Sequence, residues 1–150
     1  MKQSKLKDEV KMGRYFKTSD EFYKIYLPFF RRLLESPEVG AKLKDSKLSI
    51  RFSLSDPEVE ITIDYRSSPE GKVICGQSEL EGDIKVSTKC DSAHRLWLGK
   101  LPLMSAIMSR EVTARGPMDK LKEFSTLFKP ASEIYQNLLK DMGYEELLKA

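Results

Sequence analysis

The sequence predicts an α+β fold: a five-stranded, mostly antiparallel sheet with helices packed on one face. Three observations lead there. Apolar residues recur first at helical spacing, then alternate strictly with polar ones, then return to helical spacing. The alternating segments are short, and Pro or Gly marks the turns between them. Each of these segments has one apolar and one polar side, so other elements must cover a single face of the sheet. A length of 150 residues suits one domain with a substantial core.

The elements follow in order. Thr18 and Glu21 have capping-box spacing, and Phe22, Ile25, Tyr26, Phe29 and Leu33 then fall on one helical face. Pro28 lies inside that pattern and is expected to kink the helix, because its ring removes a hydrogen bond. Ser36-Pro37 reads as a second helix start, with a short helix to about Leu43. Leu48, Ile50, Phe52 and Leu54, then Val59, Ile61, Ile63 and Tyr65, predict two antiparallel strands around Asp56-Pro57. A third strand is expected over Lys72–Glu79 and a fourth over Ile84, Val86 and Thr88. Cys90-Asp91-Ser92 offers a cap for a helix over Ala93–Leu98, Gly99 ends it, and Pro102 opens another over Leu103–Ser109. Glu111–Arg115 alternates as a fifth strand, and the long crossover before it allows a parallel pairing with an earlier strand. Gly116-Pro117 starts a helix whose inner face carries Met118, Leu121, Phe124, Leu127 and Phe128. Pro130 restarts a last one with Ile134, Leu138, Leu139 and Met142 on one stripe.

Composition narrows the function classes. The chain is 40% hydrophobic and 33% charged, the balance of a globular protein rather than a disordered one. No apolar run reaches the ~18–20 residues that span a bilayer, and the first residues lack the apolar stretch of a secretory signal. Residues 1–17 carry six basic and two acidic side chains, a basic flexible tail on a near-neutral body over residues 18–150. Such a tail is suited to weak contact with an anionic membrane surface. Nothing in the body extends its basic face, so no nucleic-acid partner is expected. Two cysteines, Cys75 and Cys90, make no disulfide framework. Their apolar flanks suggest buried, reduced thiols and a cytoplasmic location.

The sequence offers no catalytic constellation. His94 is the sole histidine, expected as a surface or internally satisfied imidazole, and no metal site or cofactor is expected. Glu58, Glu60 and Asp64 alternate on the polar side of a strand and read as solvated carboxylates. No phosphate loop, dinucleotide fingerprint, nucleophile elbow or zinc-protease motif occurs. What stands out instead is LWLGKLPLMSAIMSREVTARG, residues 96–116, apolar and broken by Gly99 and Pro102. With Met118 it holds three of the six methionines, side chains that adapt to irregular space. Core or the wall of an apolar pocket both account for that composition.

The same stretch resembles the C-terminal signature of the sterol carrier protein 2 family. Trp97-Leu98, Gly99-Lys100-Leu101, Ala106-Ile107-Met108, then Val112, Ala114 and Gly116 carry the likeness. Ile50-x-Phe52-x-Leu54 and Val59-x-Ile61-x-Ile63 agree upstream, so the resemblance spans about residues 20–140. It implies an apolar tunnel between the sheet and its helices that binds or transfers a fatty acid, acyl-CoA or sterol-like lipid without catalysis. Carried over by position, the wall is Leu98, Leu101, Met104, Ile107, Met108, Val112, Met118, Leu121 and Phe124, over a floor of Phe52 and Ile61. The helix from Ile134 covers the mouth, and Lys100, Arg110 and Arg115 are candidates to meet an anionic head group. The ending ELLKA is not a peroxisomal tripeptide and no enzyme domain is attached, which implies a stand-alone member, monomer or dimer. The alternative is an interaction or accessory domain that takes a partner's helix or subunit in the same groove.

Overall fold

The computed structural model describes residues 13–150; the basic residues of 1–12 lie outside it. Helices α1 (Ser19–Glu35) and α2 (Val39–Ser46) precede strands β1 (Ser49–Ser55), β2 (Val59–Asp64), β3 (Lys72–Cys75) and β4 (Ile84–Lys89). Helices α3 (Cys90–Trp97) and α4 (Leu103–Met108), strand β5 (Thr113–Arg115), helices α5 (Met118–Ser125) and α6 (Phe128–Asp141), and a 3₁₀ turn (Glu145–Lys149) follow. The expected α+β architecture is what forms.

Helix α1 starts as its sequence dictates. The Glu21 N–H donates to Thr18 Oγ1 at 3.1 Å, and the Glu21 carboxylate accepts from the Lys17 N–H at 3.3 Å. The helix runs on for seven residues past Pro28, because Phe29, Phe30 and Leu33 beyond it are buried. Helix α2 is capped by Ser36, whose hydroxyl accepts from the Val39 N–H at 3.0 Å, and ends at Lys47, with φ 54°. Helix α3 begins three residues earlier than expected, and no side chain caps it. The Asp91 carboxylate instead accepts the N–H groups of Arg14 (2.9 Å) and Tyr15 (3.2 Å). With Phe16 buried, residues 13–17 belong to the packed body rather than to a free tail.

The sheet order is β3-β2-β1-β4-β5. β1–β2, β2–β3 and β4–β5 are antiparallel, and β1–β4 is parallel. The parallel partner is therefore β4, not β5 as the crossover before β5 suggested. β3 stops at Cys75 because Gly76 turns the chain with φ 93°. Residues 76–83 then pass over the outer face, where Arg51 Nη1 donates to the Leu80 carbonyl at 3.2 Å. Asp83 aligns β4: its N–H donates to the Ser49 carbonyl at 2.8 Å, and its carboxylate accepts the Ser49 N–H at 3.0 Å. Gly82 sits at φ 82°, and a Cβ there would lie 3.0 Å from that of Arg51, so this crossing needs glycine. β5 keeps only three residues because the Val112 N–H bonds to the Ala106 carbonyl of α4, and Glu111 is held by Thr88.

Ile61, Phe52, Val86 and Ala114 form one row across the inner face. The helices cover this face with aromatic side chains. Phe30 lies 5.3 Å from Phe52, Phe29 lies 5.2 Å from Trp97, and Trp97 stacks on Phe128 at 4.4 Å. The polar face differs from expectation. Asp64 is buried, accepting from the Ser67 hydroxyl and from the N–H groups of Arg66 and Ser67. Burial opposes its charge, but these donors outweigh it and lower the carboxyl's pKa. Glu60 bonds Arg51 at 3.2 Å and Ser53 at 2.9 Å. Cys90 is buried as expected, whereas Cys75 is exposed, since β3 is an edge strand.

His94 is fully buried and satisfied. Its Nε2 donates to the Leu147 carbonyl at 2.8 Å, which leaves Nδ1 to accept from the Tyr135 hydroxyl at 2.7 Å. This contact ties the 3₁₀ turn to α3. Burial pushes the imidazole down to about 4. The unfolded chain, with an ordinary imidazole near pH 6.5, then binds the proton more readily than the folded one. Stability from this site is complete above pH 6.5 and is lost as pH falls towards 4, by about 2–3 kcal/mol at pH 4.5. Denaturant unfolding at pH 7 and pH 4.5 is expected to differ by that much less in His94→Gln. The Tyr26 hydroxyl is buried near that of Tyr135, and burial raises its pKa well above the ordinary phenol value.

Candidate functional site

Two hollows differ in chemistry. The first, of about 390 Å³, opens between α2, the start of β1 and α5. Leu43, Leu48, Ile50, Phe124 and Leu127 give it an apolar floor. Lys42, Asp45, Ser46, Lys120, Glu123 and Thr126 form a polar rim. The second, of about 580 Å³, lies where β1 and β4 end and is lined by Ser53, Ser55, Asp56, Glu58, Lys89, Glu111 and neighbours. Leu54 is the one apolar side chain among its lining residues, and several of its polar groups are already bonded. Ser53 is bound to Glu60 (2.9 Å), Thr88 to the Glu111 carbonyl (2.9 Å), and Glu111 to Ser92 (2.8 Å). Apolar ligands need the first kind of lining.

Local structure explains the first hollow. Val39, Gly40 and Leu43 face inward from α2, and Gly40 comes so close to the Leu34 carbonyl that a side chain there would collide. The left-handed Lys47 then turns the chain sharply into β1. Leu121 and Phe124 hold α5 on the other side. The rim hydroxyls are occupied locally, since Ser46 donates to the Leu43 carbonyl at 2.6 Å and Thr126 to that of Glu123 at 2.6 Å. Lys120 pairs with Glu123 at 3.7 Å. The charge at the rim is thus balanced, two basic and two acidic groups.

The residues expected from the sequence separate into three groups. Phe124 lines the hollow. Phe52, Ile61, Leu98, Val112 and Leu121 are buried in the core, while Leu101, Met104 and Ile107 are half-buried. Met108 and Met118 are 83% and 58% exposed. Phe124 links the hollow to the core, its ring 6.2 Å from Phe52 and 5.2 Å from Phe128. Of the head-group candidates, Lys100 donates to the carbonyls of Leu148 (2.9 Å) and Ala150 (2.5 Å), whereas Arg110 and Arg115 are exposed. Leu43, Leu48, Ile50 and Leu127 were absent from the expected wall. Each was legible as apolar in its element, but only the placement of α2 and α5 on either side of the start of β1 aims them at a common space.

Among the described residues no three His, Cys, Asp or Glu side chains converge as metal ligands. Cys90 is held protonated by burial, and its thiol donates to the Pro57 carbonyl at 3.1 Å. No helix among the described residues is long and apolar enough to cross a membrane.

The sequence matches the SCP-2 sterol transfer family over residues 30–129, two thirds of its length. The chain belongs to that family. Sterol transfer domains are lipid-binding and lipid-transfer modules, and an apolar hollow fits that class. No curated protein sequence matches the chain significantly. Solved structures agree on the fold. The sterol carrier protein domain 2 of Helicoverpa armigera is 16% identical with a TM-score of 0.62, over 74% of this chain and 87% of that one. Sterol carrier protein 2 of Yarrowia lipolytica, in its apo form, is 18% identical with a TM-score of 0.55, over 76% and 89%. A UbiJ-SCP2 ubiquinone synthesis protein is 17% identical with a TM-score of 0.52, over 75% and 89%.

Proposed function

We propose that this sterol transfer domain carries one fatty acyl or sterol-like lipid, chemically unchanged, with its apolar part seated between α2, β1 and α5. The observation behind this reading is the apolar floor of Leu43, Leu48, Ile50, Phe124 and Leu127 beneath a polar rim. A volume of about 390 Å³ lies in the range of small-molecule sites. About ten methylenes buried at ~0.8 kcal/mol each supply roughly 8 kcal/mol. Ordering the flexible chain offsets several kcal/mol of that, so extra contact area matters. A longer ligand gains it by displacing the Phe124 ring and following Phe52, Ile61 and Leu121 towards Val112, Leu98, Leu101, Met104 and Ile107. Lys42 and Lys120 stand where a head group emerges. The buried, protonated Cys90 suits a reducing, cytoplasmic setting.

Leu48 is half-buried at the floor's edge, so a larger ring there fills the hollow without opening the core. Leu48→Trp is expected to weaken binding of a fluorescent fatty acid at least about tenfold, a loss of ~1.4 kcal/mol, with an unchanged circular dichroism spectrum. Equal affinity in the folded variant rules out this seat. Native mass spectrometry of the purified protein is expected to show one lipid per chain. A cargo-free protein that instead captures a partner subunit supports the interaction-domain alternative.

A further inference from the structure

Three acidic side chains (Asp56, Glu58, Glu111) and one basic one (Lys89) line the second hollow, a formal −2. Glu111 already pairs with Arg95 at 3.8 Å, but Asp56, Glu58 and Lys89 form no ion pair among the described residues. Residues 1–12 hold four basic side chains (Lys2, Lys5, Lys7, Lys11) and two acidic ones (Asp8, Glu9), a formal +2. That segment joins the described chain at Gly13, which packs so close to the Asp56 carbonyl that a side chain there would collide. We propose that residues 1–12 dock on the outer sheet face of their own chain, with their lysines in the hollow beside Asp56 and Glu58.

Position favours the chain's own segment as the occupant. The Gly13 N–H donates to the Phe16 carbonyl at 3.0 Å, and the Asp91 carboxylate accepts the N–H groups of Arg14 and Tyr15, so the point of attachment is held in this corner. The Ser19 hydroxyl donates to the Glu58 carbonyl at 2.7 Å, which ties the start of α1 to the same place. Lys11 and Lys7 precede Gly13 by two and six residues, at most roughly 7 and 20 Å of extended chain. β1 and β5 flank β4 and so lie about 10 Å apart, a width that both lysines can reach. A segment joined to its site by so few residues is present there at an effective concentration on the order of millimolar, so weak contacts suffice. The face also offers matching chemistry. Ser53, Ser87 and Thr113 are neighbours in register across β1, β4 and β5, a row of hydroxyl oxygens able to accept from ammonium groups. Laid extended, the segment places Lys5, Lys7 and Lys11 on one side with Glu9, since alternate residues share a face. The rim of the first hollow is already balanced in charge and matches the segment less well. Docking here is independent of any lipid in that hollow, which opens at the other end of β1.

Zero-length carbodiimide cross-linking of the full chain tests this, because it joins a lysine only to a carboxylate in contact with it. Mass spectrometry is expected to find links from Lys5, Lys7 or Lys11 to Asp56 or Glu58, about tenfold more abundant at low salt than links to Asp45 or Glu123 at the first hollow. They should fall steeply at about 1 M salt, where the screening length shrinks to about 3 Å. An equal mixture of isotope-labelled and unlabelled chains separates links within a chain from links between copies. Asp56→Asn/Glu58→Gln supplies a second readout. Asn tolerates the left-handed backbone at position 56, with φ 56°, so the circular dichroism spectrum should not change. Trypsin should then cut after Lys7 and Lys11 about fivefold faster than in the parent chain, the effect of losing two exposed ion pairs. Links spread evenly over surface carboxylates, links chiefly to the first hollow, or links only between copies overturn the proposal. Unchanged cleavage in the folded variant overturns it as well. So does sedimentation of the chain on phosphatidylserine vesicles without any link to Asp56 or Glu58, which gives the lysines to a bilayer instead.

Discussion

The pairing of β4 alongside β1, in parallel, is the constraint on which the rest of the molecule hangs. It depends on a few polar contacts at one corner: the reciprocal bonds between Ser49 and Asp83, and the Arg51 guanidinium on the Leu80 carbonyl. Parallel neighbours need a crossover, and residues 76–83 make it over the outer face. With β4 fixed there, α3 follows directly from its end and returns to the inner face, bringing Trp97 against Phe29 and Phe30. β5 is then laid against β4, and α5 descends beside α2. The hollow between α2 and α5 is a downstream result of that one strand placement.

Packing on the inner face is dense and aromatic, which bears on how a lipid carrier stays folded when empty. Phe52, Trp97, Phe124 and Phe128 form a connected chain of rings, from the centre of the sheet to the edge of the hollow. Rings of this kind bury much area and pivot about two torsions. That path of rings ends at Phe124, which also lines the hollow. Buried polar groups sit away from that path. His94, Tyr135 and the Leu147 carbonyl satisfy one another at the other end of the helical layer. The polar anchor and the adaptable apolar region are thus separate, so change in one leaves the other intact.

Charge is arranged in the same divided way. The outer face is fixed by half-buried pairs such as Arg51 with Glu60, while the rim of the hollow balances two basic against two acidic groups. Arg110, Arg115 and Lys122 are exposed and form no ion pair among the described residues, whereas Lys120 pairs with Glu123. A carrier meets two environments, a surface that supplies cargo and an interior that holds it.

The sequence by itself determined the element order, the helix starts at Thr18 and Ser36, and the apolar side of every long strand. These are local matters, governed by capping geometry and by periods of 3.6 and 2. The family was also legible, because the order and spacing of Trp97 through Gly116 do not depend on packing detail. Three things were decided only by tertiary structure. The parallel partner of β1 depended on a loop crossing that no periodicity encodes. Glu60 lost its solvated character because Arg51, on the neighbouring strand, reached it. The methionine stretch was divided between core, half-buried wall and open surface, since apolar spacing says which residues share a face but not what lies opposite. A space is defined by the elements that fail to meet, and that failure exists only in three dimensions.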